Sequence, residues 1–222
     1  MEINQKLKLN DEVIDVLCSV FKGAEILIEN DSEIATLYAY LLLQATGIER
    51  LQKIVYIIDY FNKNGDQITD KELKNQLGHN IIEIHQQYLE DYFIKYNNDK
   101  VFFDKALQIL TELITVKDGY RYANFNLYND KLFSIHEHIV KILEIDGLDY
   151  SGVNDLIKSS WKIIDVILKK YISILVNLIW RKIIGNGEII PICLQKYVIA
   201  GYQEIDLINE ISHILDNTRK KD

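Results

Sequence analysis

A single proline, Pro191, stands in 222 residues. Proline breaks or kinks helix interiors, so its scarcity leaves long helices unobstructed. Glycine is also scarce, with ten copies. Gly65, Gly78, Gly119, Gly147, Gly185 and Gly187 all fall where helices are expected to end. Two cysteines, Cys18 and Cys193, exclude a disulfide scaffold, and their helix-like apolar contexts read as buried thiols. Arginine is limited to Arg50, Arg121, Arg181 and Arg219, so planar phosphate clamps are few. Positive charge is short overall: the net charge is −8, with an isoelectric point near 5.2. Such a field repels phosphates and gives no support to a nucleic acid or nucleotide partner, although a local basic patch is compatible with one. The first residues, MEINQKLKLNDE, contain no apolar leader. The apolar run from Tyr171 to Trp180 lies between Lys170 and Arg181 and is too short to span a bilayer. These absences predict a cytoplasmic protein without a membrane segment.

Isoleucine is abundant, and by propensity its β-branching favours strands. The spacing of apolar residues is helical almost throughout and outranks propensity. A first helix is predicted from Asn10, its N-cap, to Glu29, with Val13, Ile14, Val16, Leu17, Val20 and Phe21 on one face. A second is predicted from Ser32 to Asn62, with Leu37, Leu41, Gln44, Ile48, Leu51, Val55 and Ile58 inward and a bend at Gly47. Thr69 and Glu72 form a capping-box pattern opening a short helix that stops at Gly78. Asn80 and Glu83 repeat that pattern and open a helix to Tyr96, followed by an Asn97-Asn98-Asp99 turn. Residues 101–117, 130–144 and 151–184 read as further helices. A final helix is predicted from Pro191 to Asp216, ahead of a polar tail. The helix through Trp161, Ile164, Ile167, Leu168, Ile172, Leu175, Leu178 and Ile179 is apolar around most of its girth. It therefore belongs at the centre of the fold or in a homodimer interface. The expectation is an all-α, up-and-down helical bundle over 1–148 with a helical extension over 149–222 packed on the same core.

No complete catalytic signature is present. His136 and His138 are two apart, which on a helix turns them away from each other, so they do not share a metal. His79 and His85 are six apart and fit one helix face poorly. Neither a phosphate loop nor a nucleophile elbow occurs, and no metal or cofactor is expected. Two places are more informative. In Leu77-Gly78-His79-Asn80-Ile81, His79 sits between a helix-ending glycine in the left-handed region and a helix-starting asparagine. There it locks the corner or contacts a ligand. In Asp118-Gly119-Tyr120-Arg121-Tyr122, a guanidinium between two aromatic rings either fixes a loop or clamps an anion.

These motifs, together with Gln44-Ala45-Thr46-Gly47-Ile48-Glu49-Arg50-Leu51-Gln52-Lys53, resemble the HEPN family of helical domains over about residues 10–145. The resemblance implies an up-and-down helical bundle, commonly a two-fold dimer, in toxin–antitoxin, phage-defence or RNA-processing systems. Nuclease members of that family carry a histidine shortly after an arginine. None follows Arg50, Arg121 or Arg181 at that spacing. The resemblance thus implies the non-nuclease branch: an interaction or ligand-binding module with Tyr120, Arg121, Tyr122 and His79 as contact residues, and a homodimer or another protein as partner. Two alternatives stand beside it. One is a variant ribonuclease using Arg121 with His79 or His136, and the other is a structural helical subunit of a larger assembly.

Overall fold

The computed structural model describes residues 1–29, 34–114, 140, 156–180, 183–184 and 202–219. Among them the chain is helical and contains no strand. Helix α1 spans Ile3–Glu29, α2 Ile34–Asn64, α3 Asp70–Leu77 and α4 Ile81–Ile84. The chain then passes through a π turn, His85–Leu89, and a 3-10 stretch, Glu90–Asp99, kinked at Tyr96, into α5, Lys100–Ile114. Helix α6 spans Leu156–Trp180, and a 3-10 turn at Tyr202–Glu204 precedes α7, Leu207–Arg219.

Helices α1 and α2 form an antiparallel hairpin, the most extensive helix pair among the described residues. Val13, Val16, Leu17 and Val20 face Leu41, Ala45, Ile48 and their neighbours in one continuous core. Gly47 permits this approach: a Cβ there would stand 2.3 Å from Val20 Cγ2. Its role is close packing inside a continuous helix, not the expected bend. The amide of Gln44 donates to the Val20 carbonyl at 2.9 Å in the buried seam. The predicted inward stripe of α2 is buried throughout.

The start of α1 differs from expectation. Asn10 lies inside the helix rather than capping it, because helical geometry already begins at Ile3. Ile14 is exposed, since the face set by Val13, Val16, Leu17 and Val20 turns it outward. Cys18 is exposed as well, for the same reason of phase. Cys193 lies outside the described residues.

At the corner, Thr69 and Glu72 make the full capping box, and the Glu83 amide donates to Asn80 Oδ1 at 3.1 Å. Gly78 ends α3 with φ 55° and ψ −140°. Its φ is positive, but this ψ takes it outside the left-handed helical well into a region that essentially only glycine visits. Past Asn80 the expected single helix to Tyr96 is replaced by the π turn and the 3-10 stretch, with Tyr96 kinked at φ −108°, ψ 24°. The Asn97-Asn98-Asp99 turn is absorbed into this stretch, where the Lys100 amide donates to the Asn97 carbonyl.

Helix α6 packs against α2, α5 and α7. Every residue from Tyr171 to Ile179 is buried, so this part of the helix is enclosed around its girth by its own chain, whereas Lys162 nearer the start is exposed. Of the two roles expected for it, the central one holds. Helix α7 starts at Leu207, with Asp206 accepting from the Asn209 amide at 3.2 Å. It buries Leu207, Ile211 and Leu215, and Ser159 donates to Thr218 at 2.9 Å. No described helix is long and apolar enough to cross a membrane.

Candidate functional site

The Tyr120–Arg121–Tyr122 segment and His136 lie outside the described residues. His79 is described, with 79% of its side chain exposed and its Nδ1 2.8 Å from Glu49 Oε1. The same oxygen accepts from Lys53 Nζ at 2.6 Å. His79 therefore ties the α3–α4 corner to α2 through a shared carboxylate. Arg50 is held by Glu12 across the hairpin, and that bond keeps its guanidinium pKa raised. Gln52 donates to the Ile81 carbonyl at 3.2 Å and to Tyr171 Oη at 2.8 Å. Gln44, Glu49, Arg50 and Gln52 of the motif thus hold α2 to its neighbours, while Thr46 and Lys53 bond within α2.

A different group of residues comes together where α4 gives way to α5. His85 opens the π turn, its amide bonded to the Ile81 carbonyl, and lies in the core, where it is 2% exposed. Its Nδ1 lies 3.0 Å from Tyr171 Oη. Its ring meets Phe93 edge-on at 4.7 Å and Tyr171 at 5.4 Å. Phe93 stacks on Tyr171 at 5.0 Å and meets Phe103 edge-on at 5.7 Å. Burial pushes the imidazole pKa down to about 4, outweighing the upward pull of Asp104 and Glu90. His85 is therefore neutral near pH 7. Burial also pushes the Tyr171 hydroxyl up.

His85 forms part of the wall of a 250 Å³ cavity with Phe93, Tyr96, Phe103, Glu90 and Lys100. Glu90 and Lys100 close the rim with a 2.8 Å ion pair that spans the two ends of the 3-10 stretch. That pair lowers the Glu90 pKa and raises that of Lys100. On the other side of the same stretch lies a 410 Å³ cleft reaching Asn177, Leu178 and Ile183. Asp91, Ile94 and Tyr96 border both spaces. A third crevice, beside Gln44, Asp165 and Tyr202, holds only 20 Å³, roughly the room of one water. Beneath the kink, Lys170 donates to Asp99 Oδ2 at 2.6 Å and to the Ile205 carbonyl. Tyr96 Oη and Asp104 Oδ1 are buried without a hydrogen-bond partner. Among the described residues no metal-ligand group of His, Cys, Asp and Glu gathers.

Sequence reasoning passed over His85 because it was weighed only against His79 as a metal partner. One signal was readable. His85 follows Ile81 by four residues and precedes Leu89 by four, so a helix places this imidazole on the buried face. A histidine on such a face must be neutral or paired. The π turn itself has no comparable sequence mark.

Comparison with protein-family models, with curated proteins and with solved structures finds no match to the chain.

Proposed function

We propose that the chain is a ligand-binding helical module, of HEPN-like type and without nuclease activity, whose ligand seat is the His85 cavity. One observation carries this reading: a 250 Å³ space bordered by a buried neutral imidazole, three aromatic rings and a charged rim, built on irregular helix. Binding sites are typically concave and apolar with a few placed polar groups. π turns inside helices frequently coincide with functional sites. A cytoplasmic setting and a place in a defence or toxin–antitoxin-like system belong to the same reading and rest on the sequence resemblance. So does a homodimer, which would need a face other than the enclosed Tyr171–Ile179 stretch.

Ile94 borders the cavity and is 69% exposed, so Ile94→Trp narrows the mouth without disturbing the core. Compounds found by thermal-shift screening to stabilise the wild type should lose that effect in this variant. Equal stabilisation of both proteins would sink the cavity as the seat. RNA cleavage by purified protein, lost in both Arg121→Ala and His79→Ala while each stays folded, would replace this reading with the ribonuclease one.

A further inference from the structure

We propose that the His85 cavity takes a planar, amino-substituted nitrogen heterocycle, a proposal that rests on the ligand-binding reading above. The hydrogen-bond chain in the core fixes the donor that His85 offers. Gln52 Nε2 donates to the Ile81 carbonyl, which only accepts, so the amide orientation is set. The same nitrogen donates to Tyr171 Oη at 2.8 Å. Tyr171 has one proton, and since Gln52 meets it as a donor and offers it no acceptor here, we assign it to the 3.0 Å contact with His85 Nδ1. A neutral imidazole that accepts at Nδ1 carries its proton on Nε2. The ring edge left for a ligand is therefore an N–H donor, and the matching ligand atom is an acceptor such as a ring nitrogen.

The remaining surfaces set the rest of the ligand. Phe93, Tyr96 and Phe103 supply ring faces and edges, which suit a flat aromatic body. Glu90 and Asp91 supply carboxylate acceptors, which suit exocyclic N–H donors. With Lys100 the rim carries two negative charges and one positive, so an anionic ligand is disfavoured. At 250 Å³ the space falls a little below the roughly 300–1,000 Å³ of pockets for drug-sized ligands, which fits one ring or a fused pair. An acceptor on one edge, donors on another and a flat uncharged body together describe an amino-heterocycle.

The test is a nuclear magnetic resonance titration of the full chain, labelled at histidine nitrogen and at phenylalanine, with three probes at millimolar concentration. They are 4-aminoquinazoline, indole and 1-naphthoate. In the free protein His85 should show the Nε2–H tautomer. Adding 4-aminoquinazoline should shift that Nε2–H together with Phe93 and Phe103. Asp91→Ala should weaken binding about fivefold, the loss of one ordinary hydrogen bond. The carboxylate probe should leave the cavity unmoved. The ligand class is overturned, with the cavity reading intact, if 1-naphthoate binds there as tightly. The same follows if indole shifts Phe93 and Phe103 while 4-aminoquinazoline shifts nothing, or if the free His85 is the Nδ1–H tautomer. If none of the three probes perturbs the cavity, the ligand-binding reading falls with the class.

Discussion

The α1–α2 hairpin and the joint between α4 and α5 are both helical and both carry charged side chains, but they place those charges in opposite settings. In the hairpin the cross-helix pair Arg50–Glu12 sits at the edge, with the two side chains 36% and 38% exposed. In the joint the pair Lys170–Asp99 is enclosed, with 5% and 12% exposed. An edge pair stays solvated and contributes little whether present or absent. An enclosed pair contributes little more as a pair, yet losing one member strands the other away from water. The hairpin is therefore held by its apolar seam and the close pass at Gly47, whereas the joint depends on a few polar bonds being complete. A binding cavity belongs in the second kind of region, where polar groups and open space coexist.

The largest expected effect breaks the joint. Lys170→Met should destabilise the fold by about 3–5 kcal/mol, because Asp99 is left buried and uncompensated. Adding Asp99→Leu should recover most of that loss, as read by urea midpoints of the single and double variants. Failure of the second substitution to recover stability would move the energy from charge to packing.

Acid should reach the same region next. The unfolded His85 takes a proton below a pKa of about 6.5. The folded residue stays neutral until about 4. The unfolded state therefore binds more protons in this window. The stability tied to the neutral imidazole is complete above pH 6.5 and is lost as pH falls from 6.5 to 4. The loss is about 3 kcal/mol. Stability measured at pH 7.5 and 4.5 should show this drop, and a His85→Phe variant should show a shallower one.

In the hairpin, Gly47→Ala should cost about 1–2 kcal/mol. The added methyl overlaps Val20 by more than the gain in helix propensity offsets. Combining it with Val20→Ala should remove the conflict, so the two changes should be far from additive in a double-mutant cycle. Smallest of all, Arg50→Ala should cost under about 1 kcal/mol and shrink further at high salt. A cost near that of Lys170→Met would erase the distinction between the two regions.

The bundle itself was legible in the sequence because helix period and caps are local signals. The α2 stripe from Leu37 to Ile58, the box at Thr69 and Glu72 and the cap at Asn80 all follow from residue spacing. The joint was not legible. A π turn changes the phase of every residue after it, and no residue type marks one in the sequence. Asn10 misled for a related reason: a good cap residue is also tolerated inside a helix when preceding turns continue. The polar side chains Glu49, Arg50 and Gln52 of the Gln44–Lys53 motif serve contacts within the fold, which their spacing alone does not tell. The Tyr120–Tyr122 segment lies outside the described residues, whereas the cavity at His85 is formed by residues that were not singled out for function.

The burial of the Tyr171–Ile179 stretch of α6 has a consequence for local motion. A backbone amide exchanges its hydrogen with solvent only when its hydrogen bond opens to water, and edge helices can open alone. The stretch from Tyr171 to Ile179 has no side from which to open while its neighbours stay in place. Its amides should exchange only when the whole bundle unfolds. Their exchange rates then read the total stability directly, and ligand bound at the adjoining joint, where Tyr171 meets His85 and Phe93, should slow them all by one common factor.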